Sequence, residues 1–157
     1  MGAVAGRADV MAVFAGSNEP AKLPMSGTFN ANPITMTAGR VAMEHFDAAA
    51  IRKLNLLGDR VRSALREVIS EIGTDASVTG AGSMFRLHVG SPAPSNYREA
   101  YVDGARKARL NKLLNDLLER GIMLANTGTG MLSTVIGDRE VTLLRDAVRD
   151  SLKAQPC

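Results

Sequence analysis

Cysteine, tryptophan and long apolar runs are what this sequence lacks, and each absence removes a class of protein. Its one cysteine, Cys157, is the last residue. That leaves no internal disulfide and no cysteine-based metal site, so a reducing, cytoplasmic setting is the expectation. No stretch approaches the ~18 apolar residues that a membrane span needs, and no membrane partner is expected. From Met1 to Asn18, Arg7 and Asp9 interrupt the apolar run, and the h-region and cleavage site of a secretory signal are missing. Aromatic side chains are scarce, with two Tyr, four Phe and no Trp. Single-strand nucleic-acid binders stack bases on aromatic platforms, so nucleic acid is not an expected partner either. An excess of one charge is also missing: 19 Lys plus Arg against 16 Asp plus Glu leave +3. The Arg106-Lys107-Ala108-Arg109 cluster falls in a helical pattern with a leucine-rich opposite side, which reads as a solvated helix face.

What is present suits one domain, or a small domain with an extension, in 157 residues. Hydrophobic residues at 45% and charged residues at 22% are ordinary globular values, which excludes collagen and disordered tails. The first 26 residues hold two short apolar pieces without evident partners. Gly2 to Arg7 reads as a short strand, Ala8 to Ala15 is an apolar run, and Gly16-Ser-Asn-Glu-Pro20 is rich in turn residues. Asn32-Pro33 fits an N-cap followed by proline at the first helical position and predicts a helix to about His45. Asp47 can cap the next helix and Gly73 can end it. Between them Ile51, Leu54, Leu57, Val61, Leu65, Val68 and Ile72 recur every three or four residues, one stripe of a long amphipathic helix.

Beyond Gly73 the pattern changes. Ser77-Val-Thr and Ser83 to Val89 read as extended chain, with Met84, Arg86 and His88 on one face and Phe85, Leu87 and Val89 on the other. Ser91-Pro-Ala-Pro94 ends it. A helix is expected over about Tyr97 to Arg120, with Val102, Ala105, Leu110, Leu113, Leu114 and Leu117 inward. Short strands are expected at Ile122 to Ala125 and Met131 to Val135, around Asn126-Thr-Gly-Thr-Gly130. Asp138 can cap a last helix that turns Val141, Leu144, Val148 and Leu152 inward. The order after Gly73, β-α-β-β-α, predicts an α+β layer: a small sheet with helices on one face.

Most chemical motifs are absent. Gly128-Thr-Gly130-Met-Leu-Ser-Thr134 has glycines and hydroxyls but no Walker lysine to reach a phosphate. Gly80-Ala-Gly82 lacks the third glycine of a dinucleotide fingerprint and leads into a strand. His45 and His88 have no second ligand at helical or strand spacing, while a zinc site needs three or four. Ser83 lies outside any Gly-x-Ser-x-Gly elbow, and Glu67 with Glu71 reads as two solvated acids. Ser26-Gly27-Thr28-Phe29-Asn30-Ala31-Asn32-Pro33 stands apart. A glycine and a hydroxyl precede a helix start, an arrangement that suits a phosphate, although many helix entries look alike and plain capping is the commoner meaning.

The segment Gly27-Thr28-Phe29-Asn30-Ala31-Asn32-Pro33-Ile34-Thr35-Met36-Thr37-Ala38-Gly39 resembles the one at the start of the small domain in class III pyridoxal-phosphate aminotransferases. The nearest branch contains glutamate-1-semialdehyde aminomutase. Asn55-Leu-Leu-Gly-Asp-Arg60 resembles that family's long-helix pattern, and Val78 to Val89 resembles its first small-domain strand. Gly121-Ile-Met-Leu124 and Leu132-Ser-Thr134 follow in the same order. The resemblance covers essentially the whole chain and the last third or so of such an enzyme. It implies a fold-type-I C-terminal small domain, an α+β unit with a small antiparallel sheet behind a long linking helix. Residues 1–31 would end the large domain and carry the phosphate loop, residues 32–73 would link, and residues 74–157 would be the small domain.

The resemblance also implies a cofactor, pyridoxal phosphate, whose phosphate Gly27 and Thr28 would hold for the neighbouring subunit of a homodimer. The substrate would be a small amino acid or amino aldehyde. Met1-Gly-Ala-Val4 looks like the stretch just after the family's Schiff-base lysine. None of Lys22, Lys53, Lys107, Lys112 and Lys153 occupies that lysine's context, although Lys22 lies near the loop. The expectation is a chain without a catalytic residue of its own and inactive alone. Aminomutases resembling it carry a glutamate before the final short strand; Asn126 to Gly130 holds no acid, which leaves a broader amine-transfer role open. A non-catalytic dimerisation or binding module derived from the same domain is the alternative.

Overall fold

The computed structural model describes residues 2–16, 19–90 and 92–154. Met1 of the expected post-lysine stretch, Ser17-Asn18 of the turn-rich loop, Ser91 and Cys157 lie outside the described residues. Two compact units divide the chain, Met1–Asp47 and Ala48–Cys157.

In the first unit, Gly2 to Arg7 is irregular and not a strand. Among the described residues no strand pairs with it, and extended chain cannot satisfy its backbone groups by itself. The alanine-rich run that follows instead makes a short helix α1, Ala8–Met11, and a 3-10 turn, Ala12–Phe14. Helix α2 covers Pro33–His45, with Asn32 as its N-cap and Pro33 in its first turn, as the Asn-Pro pair predicts.

The second unit starts right after Asp47 with helix α3, Ala48–Ile72. Its stripe buries Leu54, Leu57, Val61, Leu65 and Val68, while Ile51 at its start stays 40% exposed. Gly73, at φ +69°, takes the left-handed conformation that ends a helix at little cost. Strands β1 (Ala76–Thr79) and β2 (Met84–Val89) pair antiparallel, with Ala76 opposite Val89 and Thr79 opposite Arg86. Strand β3, Thr129–Met131, adds antiparallel to the other side of β2, with Met84 opposite Met131. The sheet order is β1-β2-β3. Helix α4 is Tyr97–Ala100, α5 is Gly104–Glu119 and α6 is Asp138–Lys153. Val61, Leu65, Phe85, Leu87, Leu113, Leu117, Val148 and Leu152 share one core between the sheet and α3, α5 and α6.

Four differences from the sequence pattern have local causes. Gly80 and Gly82 turn the expected single extended segment into a hairpin, since both hold positive φ, +153° and +54°; such values favour glycine. The helix expected over Tyr97 to Arg120 breaks at Tyr101–Asp103. Asp103 turns extended, and its carboxylate accepts from Arg106 N at 3.1 Å to start α5 afresh. Ala105 is accordingly exposed, whereas Leu110, Leu113 and Leu117 are buried. Ile122 to Ala125 forms no strand: Gly128 N donates to Ala125 O at 2.8 Å in a tight turn, and the strand comes at Thr129–Met131. Val135, expected in that strand, is 88% exposed. The last helix is capped by Gly137, one residue before Asp138, with the Glu140 carboxylate accepting from Gly137 N at 2.9 Å.

Helix and hairpin meet at Gly58. A Cβ built there would lie 1.9 Å from Gly82 O, a backbone atom. One turn on, Arg62 is only 5% exposed. Its Nη1 donates to Gly82 O (2.8 Å) and Met84 O (2.7 Å), and Nη2 donates to Asp59 Oδ1 (2.6 Å). We expect Gly58→Ala to force the hairpin off the helix and cost about 1–3 kcal/mol. A lower urea midpoint would show it, and an unchanged midpoint would contradict the contact.

His88 lies on the outer face of β2, yet it is buried, and its Nε2 is 2.8 Å from Thr79 Oγ1. Burial first, and then the Arg86 charge, hold its pKa below the ordinary value. The unfolded chain therefore takes up a proton near the ordinary value of about 6.5 while the folded chain still resists it. Stability is held above that pH and lost as pH falls through it. Urea midpoints at about pH 7.5 and about pH 5.5 should differ more in the wild type than in His88→Gln. Equal differences would contradict this.

Candidate functional site

The turn before α2 is built from short polar contacts. Asn30 N donates to Gly27 O at 2.9 Å, and Asn32 N donates to Phe29 O at 3.3 Å. Ala31 takes a left-handed φ of +55°, a conformation uncommon for a residue with a Cβ. Asn32 Oδ1 then accepts from Ile34 N (3.0 Å) and Thr35 N (3.2 Å). Pro33 has no N–H to offer, and Met36 N is already donated to Asn32 O at 2.9 Å. The first turn of α2 therefore has no spare donor for an anion. Capping, one of the two meanings of this segment, is realised.

The other meaning survives just upstream. Thr28 is exposed, and its hydroxyl has no hydrogen-bond partner among the described residues. A Cβ at Gly27 would meet only the movable Asn30 side chain, at 2.9 Å from its Oδ1. An open hydroxyl beside a glycine that leaves its backbone approachable is what a phosphate oxygen requires. A phosphate approaching this loop would meet the turn at Gly27 and Thr28 and not the end of the helix, whose first-turn donors are taken.

The five lysines are scattered. Lys22, Lys53, Lys107, Lys112 and Lys153 are all exposed, and none has the enclosed setting that lowers an amine's pKa for Schiff-base chemistry. His45 is exposed on α2, and His88 is engaged by Thr79. Ser83 contributes its carbonyl to Leu132 N at 3.0 Å, a strand-like role. Glu71 accepts from Arg149 Nη2 at 3.3 Å on an exposed face. Among the described residues, no group of three or more His, Cys, Asp or Glu is placed to hold a metal ion, and no helix is long and apolar enough to cross a membrane.

The Asn126 to Gly130 turn serves the sheet. Gly128 O accepts from Leu87 N at 3.0 Å, and a Cβ on Gly128 would lie 2.6 Å from Leu87 O. A Cβ on Gly130 would strike the Phe85 ring at 2.2 Å. These two glycines are there for close packing. The sequence pattern did not single out Arg62 or Arg86. The signal for Arg62 was present, since an arginine sits between Val61 and Leu65 on an otherwise apolar stripe.

No protein-family model matches the chain. Individual relatives do. An uncharacterized aminotransferase of Schizosaccharomyces pombe is 34% identical over 151 residues, which are 94% of this chain and 33% of the relative. A glutamate-1-semialdehyde 2,1-aminomutase of Methanothermobacter thermautotrophicus is 32% identical over 124 residues, 79% of this chain and 28% of its own. Among solved structures, an omega-transaminase from Sphaerobacter thermophilus superposes with a TM-score of 0.83 at 37% identity, covering 94% of this chain and 34% of that one. The chain thus spans about a third of the length of the relatives it matches. With the three-stranded sheet, the helix layer and the order of its motifs, this places the chain: it belongs to the class III pyridoxal-phosphate aminotransferases, the family that includes the glutamate-1-semialdehyde aminomutases, and carries their C-terminal small domain.

Proposed function

We propose that this chain is the non-nucleophilic part of an amino-group-transferring enzyme, one that supplies the small domain and a phosphate contact. Residues 1–31 belong with the large cofactor-binding domain, residues 32–73 link, and residues 74–157 are the small domain. When bound, pyridoxal phosphate supplies the electron sink through which Schiff-base chemistry moves an amino group. This chain's share is to hold that cofactor's phosphate: Thr28 Oγ1 donates to a phosphate oxygen, and Gly27 lets the backbone approach it. The phosphate belongs to the neighbouring subunit of a homodimer, which would also cover Phe29 and Ile34, 77% and 80% exposed beside the loop. The substrate class is a small amino acid or amino aldehyde, in a cytoplasmic enzyme.

The observation that carries inactivity of the chain by itself is the exposure of all five lysines. A Schiff-base lysine has to be held in an enclosed setting beside its cofactor, and none of the five is enclosed. The absence of an acid from Asn126 to Gly130 favours a transaminase over an aminomutase. The purified chain, supplied with pyridoxal phosphate and either alanine or glutamate semialdehyde, should transfer no amino group beyond the rate of the free cofactor. Saturable turnover with either substrate would overturn this assignment.

A further inference from the structure

The free edge of β2 carries a group of donors that the small-domain role leaves unused. Strand β3 ends its pairing opposite Arg86, but β2 runs on to Val89. Leu87 N points to the β3 side, where it donates to Gly128 O, and Gly90 N points to the β1 side, where it donates to Asp75 O at 2.7 Å. Antiparallel backbone alternates, so the N–H of Val89 faces the same side as that of Leu87, beyond the point where β3 stops. Val89 is buried, and its N–H donates to no acceptor among the described residues; leaving a buried N–H so is costly.

Beside that N–H lies a small hollow lined by Arg86, Val89, Glu99, Tyr101, Arg106 and Thr127. Arg86 is half-buried, and its Nε donates to Thr127 O at 3.0 Å. Its two terminal nitrogens have no hydrogen bond or ion pair among the described residues. Thr79 and Thr129 flank it across the ladder. Arg106 spends one terminal nitrogen on Asp103 Oδ2 at 3.3 Å. Glu99 is the one acid in the lining, and its carboxylate is occupied by Ser95 N (2.7 Å), Ser95 Oγ (2.9 Å) and Asn96 Nδ2 (2.5 Å). The hollow has about 10 Å³ of free volume, room for one oxygen atom and not for a whole metabolite.

We infer that the Arg86 guanidinium and the Val89 N–H form a carboxylate subsite at the free edge of β2. One carboxylate oxygen seats in the hollow on the Val89 N–H, and the terminal nitrogens of Arg86 hold the group in the two-pronged manner that suits planar carboxylates. The rest of the bound molecule remains outside. Naming that molecule as the enzyme's carboxylate-bearing amine or keto substrate rests on the proposed aminotransferase role. The subsite itself is a property of the small domain.

Acetate, titrated into ¹⁵N-labelled full chain at constant ionic strength against chloride, tests the subsite without any cofactor. The Val89 amide and Arg86 Nε resonances should move together and saturate. Arg86→Gln should weaken the titration by about tenfold or more, as loss of a charged hydrogen-bond partner does. Arg86→Lys, which keeps the charge but not the fork, should weaken it as well. Glu99→Gln should tighten it. A drift with acetate no different from chloride, or an unchanged titration in Arg86→Lys, overturns the subsite. Inorganic phosphate saturating the same resonances more tightly than acetate overturns the carboxylate assignment. Because no pyridoxal phosphate or turnover enters, failure here leaves the aminotransferase role standing, and failure of that role leaves a saturable acetate site intact.

Discussion

The second unit depends on one buried guanidinium. Arg62 points from the apolar face of α3 into the turn of the β1–β2 hairpin, where it satisfies two carbonyls and keeps Asp59 as its counter-ion. Taking a charge out of water is costly unless it is paired and hydrogen-bonded, so this arginine locks only in one geometry. Gly58 makes that geometry reachable, because any side chain there would occupy the space of Gly82 O. Once hairpin and helix are fixed in register, Phe85, Leu87 and Val89 face the stripe of α3, and α5 and α6 complete the layer. Gly130 then lets β3 pass over the Phe85 ring. The sheet is small, yet each of its turns is set by a contact that tolerates no extra atom.

Much of this was legible in the sequence, and the parts that were not share a physical cause. Periodicity marked α3 and α6 because burial repeats along those helices, and the Asn32-Pro33 pair alone marked the start of α2 through a local hydrogen bond. The hairpin was read as one strand segment because Gly80-Ala-Gly82 lies between two pieces of equal β character, and only pairing reveals the reversal. The leucines of α5 hid the break at Tyr101–Asp103, where a capping carboxylate three residues before Arg106 overrides helical propensity. Gly2 to Arg7 reads as a strand by composition, but a strand requires a neighbour. No such neighbour is specified by the residues themselves.

The site divides the same way. Gly27 and Thr28 were legible as a glycine and hydroxyl ahead of a helix, and the turn geometry adds that Asn32, through its side chain and its carbonyl, takes up the first donors of α2. Arg86 was placed on the correct face of its strand, but nothing in the pattern said that β3 would stop short and leave Val89 N–H at a free edge. The chain therefore holds groups suited to binding and positioning: a threonine hydroxyl, an arginine fork, backbone donors. What it does not bring together is an enclosed amine. In Schiff-base catalysis the amine's surroundings are as necessary as the amine, because only burial or a neighbouring cation lowers its pKa. None of the five lysines, all exposed, is enclosed in that way.

Locating where pyridoxal phosphate attaches to this chain tests the division most directly. The purified chain is incubated with the cofactor, reduced with borohydride and mapped by peptide mass spectrometry. Weak adducts spread over several of Lys22, Lys53, Lys107, Lys112 and Lys153 are the predicted result, as expected of exposed amines with no preferred site. One lysine modified at full stoichiometry, preceded by a distinct absorbance band of the bound cofactor, would contradict it and mean that the chain holds its own nucleophile.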